Sequence, residues 1–432
     1  MKNSEINTLR RKLKEKLDEK GATSSQFKEA KKPSPEFDTL INKMKDITDD
    51  IKAIEKQIKQ LEKSPLEEDT ASKNLLKPSV IYQNKHSNFS ASFSIDTLQP
   101  ESLQRWEHFV LNRKASVFFT SAWQAIIKAS FNHDTIIIVA KNAGGEIIGG
   151  LPITIVSSAL FGRMGVSVPY VNYGGVESDF LNVTKALLSH CNDIAITHKL
   201  KHVEVRTMQS ELADTSISKK VSMVLKLPNS KQALESQLSA KVRAQYKKAE
   251  INSPSIKFGK LELLDDFYRV FSENMRDLGT PVYSRGFFQS ILSTAAIKAT
   301  IAVGYLEGIP VSTGFLIGNQ DTLEIPWAST LKKYNHKNMN MWLYRQILDH
   351  AIDCNYDYFD FGRSTKDAGT YKFKKQWGAQ PFEHHWYYFG SSQKSSDLNT
   401  DNPKLQLLIK AWKRLPVWLT RLIGPIIVRG IP

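Results

Sequence analysis

The spacing of hydrophobic positions changes three times along the chain, and each change marks a different kind of element. Leu40, Met44, Ile47, Ile51, Ile54, Ile58 and Leu61 alternate in steps of four and three among Lys, Asp and Glu. That is an a/d seam of about three heptads. It predicts a helical, coiled-coil extension over 1–73 that forms a homodimer or docks a partner, or else an amphipathic helix folded back on its own domain. Pro33 and Pro35 separate it from an earlier basic helix. A polar linker is expected over 74–92.

From 93 onward the pattern alternates between helix-like and strand-like periods. Helices are predicted over 103–112, 122–130 and 185–198, and strands over 135–140, 147–156 and 202–206, with a hairpin turn at Gly144-Gly145. PYVNYGG (169–175) is aromatic and glycine-rich. The same plan returns further on. Helices are predicted over 265–277, 286–294 and 338–354, and strands over 299–305, 311–318, 323–328 and 358–361. The weak internal duplication divides the globular part into a first domain, 93–230, and a second, 259–395. A basic connecting helix is expected within 231–258. The tail, 403–432, mixes Leu, Ile and two Trp with Lys and Arg, the signature of a basic amphipathic helix able to lie in a membrane interface or pack on the second domain.

Composition narrows the partners rather than the fold. A hydrophobic fraction of 41% fills real cores, and a formal charge of +15 favours polyanions such as RNA, phosphorylated carriers or an anionic membrane. Two cysteines, with no CxxC and no Cys/His cluster, fit a reducing compartment and argue against a metal site. The N-terminus lacks an apolar signal core, and no uncharged apolar run is long enough to span a bilayer. The expectation is a cytoplasmic protein, with peripheral contact on the inner face of the membrane through the tail.

The chemistry concentrates in YFDFGRSTKDAGTYKFKKQWGA (358–379). A short strand runs into Gly362. Arg363, Ser364, Thr365, Lys366 and Asp367 form a polar loop, and lysines then interleave with Tyr371, Phe373 and Trp377. Cations held among rings can bind an anion or polarise a carbonyl, because the rings exclude water. Acyl transfer to an amine needs a polarised carbonyl and a proton acceptor. Lys374 can supply the charge, and Asp360 and Asp367 are candidate bases. Arg363 can grip a phosphate or carboxylate with its fork, or pair with Asp367. Ser364 belongs to the same polar loop, and Tyr283 and Trp327 either line the cleft or fill the core.

FDFGRST followed by GTYKFKKQWGA resembles the C-terminal signature of FemAB-like proteins, the double-GNAT relatives of the Fem peptidyltransferases, in the subgroup associated with exosortase/PEP-CTERM and exopolysaccharide systems. KVRAQYKKA (241–249), LGTPVYSRGFF (278–288) and PWAST (326–330) add to the resemblance, which spans roughly 94–432. It implies an α+β fold of two tandem GNAT-like domains, with the coiled-coil extension and the amphipathic tail at either end. It also implies Phe373 and Lys374 at the carbonyl of the acyl donor, with Lys374 stabilising the oxyanion. Arg243, Tyr246 and Lys247, on the helix matching R-x-x-x-K-K-A, would face the acceptor cleft.

The implied activity is transfer of an acyl or aminoacyl group to an amino group of a cell-envelope or exopolysaccharide precursor, without a cofactor. The donor would be aminoacyl-tRNA or acyl-CoA. A catalytic GNAT using acyl-CoA carries a glycine-rich pyrophosphate loop before a helix, whereas KKYNHKNMN (332–340) contains no glycine. The alternatives are an acyl-CoA-dependent N-acetyltransferase and a non-catalytic assembly factor of polysaccharide biosynthesis.

Overall fold

The computed structural model describes residues 2–29, 35–63, 87–158, 161–172, 174–208, 220–390 and 403–431. The chain divides into two compact units, 1–76 and 77–432. The first is a pair of helices, α1 (Lys2–Glu29) and α2 (Pro35–Lys63), packed on each other. Lys16 Nζ of α1 lies 3.0 Å from a carboxylate oxygen of Asp50 in α2. Ile47 and Ile51 of the heptad seam are buried. Within this unit α2 packs on α1 of the same chain. Ile58 and Leu61 lie outside the described side chains, and the expected linker lies outside the described residues up to 86.

The second unit is built on two sheets of the same design. The first takes β1 (Phe93–Thr97), β2 (Asp134–Asn142), β3 (Ile147–Ser158), β4 (Gly162–Val166) and β6 (Val203–Thr207) in that order, with the two-residue β5 (Glu177–Ser178) on β3. The second takes β8 (Ser255–Gly259), β9 (Lys298–Leu306), β10 (Ile309–Asn319), β11 (Thr322–Thr330) and β12 (Tyr358–Thr365). Both sheets are antiparallel except for one parallel pair, β4 with β6 and β11 with β12. A helix makes each parallel crossover: α5 (Leu181–Thr197) in the first half and α10 (Met339–Asp353) in the second.

The halves exchange strands. The strand beyond β12 is β7 (Lys220–Lys226), which comes from the chain's first half. The strand beyond β6 is β14 (His385–Phe389), which comes from the second. β13 (Gln380–Glu383) closes the second sheet against β7. Boundaries at 230 and 259 in the chain thus do not separate the sheets. One aromatic core also runs through both halves. Phe131 and Trp123 of α4 (Ser121–Phe131) pack on Phe287 of α9 (Arg285–Ser293), with ring centroids 5.0 and 6.3 Å apart. Helices α3 (Leu103–Asn112) and α8 (Leu264–Leu278) complete this layer.

Between the halves lie α6 (Lys231–Gln237) and α7 (Ala240–Glu250), each started by a serine whose hydroxyl accepts from a backbone N–H. The tail forms α12 (Pro403–Trp412) and α13 (Val417–Val428), after α11 (Gly369–Lys375). No helix among the described residues is long and apolar enough to cross a membrane.

Candidate functional site

The site follows from how β11 and β12 pair. They register only at Thr322 with Tyr358, Leu323 with Phe359 and Glu324 with Asp360. Beyond that point β11 continues with β10, and β12 continues with β7 through a bulge between Asp360 and Arg363. Gly362 sits at the bulge with φ of 75°, a conformation that favours glycine. The parallel strands therefore splay apart, and backbone groups at the fork need partners from outside the ladder.

Lys374 of α11 supplies one of them. Its Nζ donates to the carbonyls of Gly362 and Arg363 at 2.9 and 3.0 Å. An ammonium has three donors, so one N–H remains. Lys374, Phe373, Gly369 and Thr370 line a cavity of about 570 Å³ that opens from the fork, bounded by the end of β11 and the start of α10. Amide side chains, Asn274, Asn335, Asn338, Asn340 and Gln245 among them, make up much of the remaining wall. Asn338 takes a left-handed φ of 55° just before α10. The glycine-free segment before it folds as a 3-10 turn, Lys332–Lys337.

Two buried carboxyls lie side by side at the base of the fork. The Gly362 N–H donates to Asp360 Oδ1 at 2.7 Å, and Oδ2 has no hydrogen-bond partner among the described residues. Burial pushes the Asp360 carboxyl up to about 6, against the pull of the Gly362 N–H and Lys374. Glu324 accepts from Asn319 at 3.4 Å and from Asn172 at 2.7 Å. Burial, and then the neighbouring Asp360, hold Glu324 well above the usual carboxylate range. Burial also lowers Lys374 to about 8, with Asp360 opposing and Arg363 reinforcing the shift.

Asn172 belongs to the first half. The equivalent fork there, between β4 and β6, is filled by the chain's own loop. The Ser167 N–H donates to Glu204 O and the Gly174 N–H to Arg206 O, at 2.9 and 2.8 Å. The loop includes PYVNYGG and carries left-handed Val168 and Tyr170, an uncommon conformation for such residues. It delivers Asn172 to Glu324, so close to the β12 kink that a methyl at Gly362 would lie 3.1 Å from Asn172 Nδ2.

Arg363 points to the seam between the halves. Its guanidinium lies over the Trp386 ring at 5.6 Å, and that of Arg206 lies over the same ring at 4.9 Å. Arg206 is paired with Glu204. Among the described residues Arg363 Nη1 is buried without a hydrogen-bond partner and Arg363 makes no ion pair with Asp367. Burial and the proximity of Arg206 lower Arg363 to about 10. Burial and the same cations hold the neighbouring His384 at about 3, hence neutral, with its Nε2 3.0 Å from Ser222 Oγ. That serine–histidine contact is buried inside the sheet, away from the cavity lining.

Three of the residues expected from the sequence thus meet at the fork, Asp360, Phe373 and Lys374, while Arg363 turns to the seam and Ser364 pairs with Val221 of β7. Asp367 is exposed on the turn before α11, at φ of 64°. Tyr283 and Trp327 belong to the aromatic layer, with ring centroids 5.9 Å apart, and do not line the cavity. Arg243 donates to the carbonyls of Leu238 and Glu235 at the end of α6. The Tyr246 hydroxyl donates to the Glu235 carboxylate, and Lys247 Nζ pairs with it at 3.0 Å. Gln245 is the residue α7 presents to the cavity. Sequence reasoning missed Glu324, Asn172 and Arg206. A charged residue within an apolar strand, as in LEIPW and HVEVR, was the available signal.

Residues 236–375 match the family model described as an acetyltransferase (GNAT) domain. Comparison with curated proteins finds no match. Among solved structures the fold is similar to FemX, at 14% identity and a TM-score of 0.51, covering 73% of this chain and all of that one. It is also similar to the C-terminal domain (DUF2156) of a putative lysylphosphatidylglycerol synthetase from Agrobacterium fabrum, at 13% identity and a TM-score of 0.47, covering 69% and 93%. A tandem GNAT protein from the clavulanic acid biosynthesis pathway matches at 10% identity and a TM-score of 0.45, covering 71% and 100%. The mixed α+β architecture with GNAT-like halves is the one expected from the sequence.

Proposed function

We propose that the chain is an N-acyltransferase of the FemAB type, and that it moves an acyl or aminoacyl group onto an amino group of an envelope or exopolysaccharide precursor. The observation that carries this reading is Lys374, a buried ammonium with one donor unspent at the wall of a cavity, beside a carboxyl raised to about 6. The donor lies along the amide-lined cavity with its carbonyl oxygen at Lys374 Nζ. The acceptor amine attacks the carbonyl carbon, and the negative charge that develops on oxygen is met by a fixed cation in a water-poor site. The bond to the leaving oxygen or sulfur then breaks. The amine's proton passes to Asp360, and from there to the leaving group. Asp360 suits the role better than the exposed Asp367, because its titration falls near neutral pH. Burial and the neighbouring Asp360 raise the Glu324 carboxyl, which disfavours a second negative charge beside Asp360.

Aminoacyl-tRNA is the donor we favour. Lys374 is the one cation in the described cavity lining, and the segment before α10 has no glycine to bring backbone N–H groups round a pyrophosphate. Arg363 Nη1, buried with no hydrogen-bond partner among the described residues, suits an anionic group on the acceptor. The test is mass spectrometry of envelope precursors from cells with the protein, without it, and with Lys374→Met. A precursor that gains an acyl or aminoacyl mass only with the wild-type chain supports the proposal. Identical precursors in all three would point instead to an assembly factor.

A further inference from the structure

Fifteen large hydrophobic side chains are exposed among the described residues, and six of them crowd into the last two helices: Leu407, Leu408, Trp418, Leu422, Ile426 and Ile427. Trp418, Leu422 and Ile426 follow each other at intervals of four in α13 and are 66, 64 and 75% exposed. They form one apolar stripe along the outer face of the helix. The opposite face is fixed to the body. Thr420, Gly424 and Val428 are buried, and a methyl at Gly424 would meet Val282 at 2.9 Å. Arg421 donates to Ser272 Oγ at 2.8 Å, Arg276 to Leu415 O at 2.9 Å, and the Tyr170 hydroxyl to Arg429 O at 2.7 Å. The helix therefore cannot roll to hide the stripe without undoing these bonds.

The charge carried by the same two helices has a single sign. Residues 403–432 contain Lys404, Lys410, Lys413, Arg414, Arg421 and Arg429 and no Asp or Glu. Lys410, Lys413, Arg414 and Arg429 are exposed. A second copy docked through this face would set these cations against themselves, since a two-fold interface presents the same patch from both sides. An anionic lipid surface satisfies both features at once, because it accepts the apolar stripe below the headgroups and the cations among them.

We propose that α12 and α13 form a membrane-docking surface that seats the protein on an anionic phospholipid bilayer. The inference stands apart from the transfer chemistry, since none of these residues lines the cavity at Lys374. The test uses the full chain and vesicles of phosphatidylcholine, alone or mixed with phosphatidylglycerol. Wild type should sediment with the mixed vesicles at low salt, with a blue shift in tryptophan emission, and bind phosphatidylcholine far more weakly. Replacing Trp418, Leu422 and Ile426 together by Ser should weaken binding at least tenfold. Each cation near the surface contributes about fivefold, so replacing Lys410, Lys413 and Arg414 together by Gln should weaken it roughly a hundredfold. All six side chains are exposed, so both variants should melt with wild type. If the serine variant fails to fold, the glutamine variant decides alone. Wild type left in the supernatant with mixed vesicles, or variants that sediment equally, would overturn the proposal. So would a lipid-free dimer that the serine variant converts to monomer.

Discussion

Replacing Lys374 by Met separates chemistry from folding, because the structure assigns the two effects different sizes. The ammonium donates to two carbonyls at the β12 kink and has one donor left for substrate. Losing an oxyanion donor costs about a hundred- to a thousandfold in turnover, or roughly 3–4 kcal/mol. For stability the terms nearly cancel. Burial lowers Lys374 from 10.5 to about 8. That shift corresponds to a cost of about 3 kcal/mol for keeping the charge in the folded state at neutral pH, which Met relieves. Against it, two buried carbonyls lose their donor, at about 1–3 kcal/mol each. The Lys374→Met protein should thus melt within a few degrees of wild type at neutral pH.

The pH dependence gives an independent check on the same residue. The folded pKa lies below the unfolded one, so between about 8 and 10.5 the unfolded chain binds more protons. Wild-type stability therefore gains a rising contribution across that window, and Lys374→Met lacks it. Activity of wild type should climb through about 6 as Asp360 ionises and fall through about 8 as Lys374 loses its proton. The assay is product mass against time for wild type and variant, with melts of both across the same pH range. A folded Lys374→Met variant turning over within threefold of wild type would refute the oxyanion role.

Three further outcomes follow from the structure. Glu324→Gln should flatten the pH dependence of urea unfolding above about 4.5, because a carboxyl raised by burial contributes stability that is lost as pH rises through its folded pKa; an unchanged slope would mean Glu324 is ionised in the fold. Arg243→Ala should lower stability by about 1–3 kcal/mol, since the Leu238 and Glu235 carbonyls lose a donor, and leave the KM for the acceptor unchanged; a tenfold rise in KM at unaltered stability would return Arg243 to the binding site. Residues 228–432 expressed alone should aggregate, because β12 and β13 both pair with the missing β7, and co-expression with residues 77–227 should restore solubility; a soluble, monomeric 228–432 would count against the exchange.

Local periodicity placed six of the seven strands it predicted to within two residues, and left the other seven of the fourteen described strands unpredicted. The expected 299–305 appears as Lys298–Leu306, and 323–328 as Thr322–Thr330. The strand expected over 358–361 extends instead to Thr365. Its second part is polar and looks like loop, and becomes strand only because β7, more than a hundred residues earlier, pairs with it across the Gly362 kink. The same limit applies to the site. Lys374, Phe373 and Asp360 lie in one continuous motif and were legible. Glu324 and Asn172 come from separate strands and loops, and acquire meaning only from register and docking. The basic face of α7 meets the same limit. Its Tyr246 and Lys247 meet Glu235 of the preceding helix, a partner that charge spacing within α7 does not reveal.

The two halves share one design, with a parallel pair that splays and a crossover helix, yet they do not offer two equal sites. In the first half the fork is bridged by residues 167–174, held to Glu204 and Arg206 by backbone hydrogen bonds. That arrangement accepts left-handed Val168 and Tyr170, each of which costs of order 1–3 kcal/mol and persists only where the surroundings enforce it. What enforces it here is the second half. Asn172 is carried to Glu324, and Tyr170 stacks on Phe131 at 4.1 Å while its hydroxyl holds the end of α13. The second fork is left with a cavity in front, a buried Glu324 at its base whose carboxyl burial raises, and a kinked strand whose freed carbonyls fix Lys374. The strand exchange then locks the pair, because β7 braces the far side of β12 and cannot shift without moving the first half. The strain in the first fork and the open chemistry in the second are therefore one arrangement, with the first half serving as the rigid wall against which the second half's charges are set.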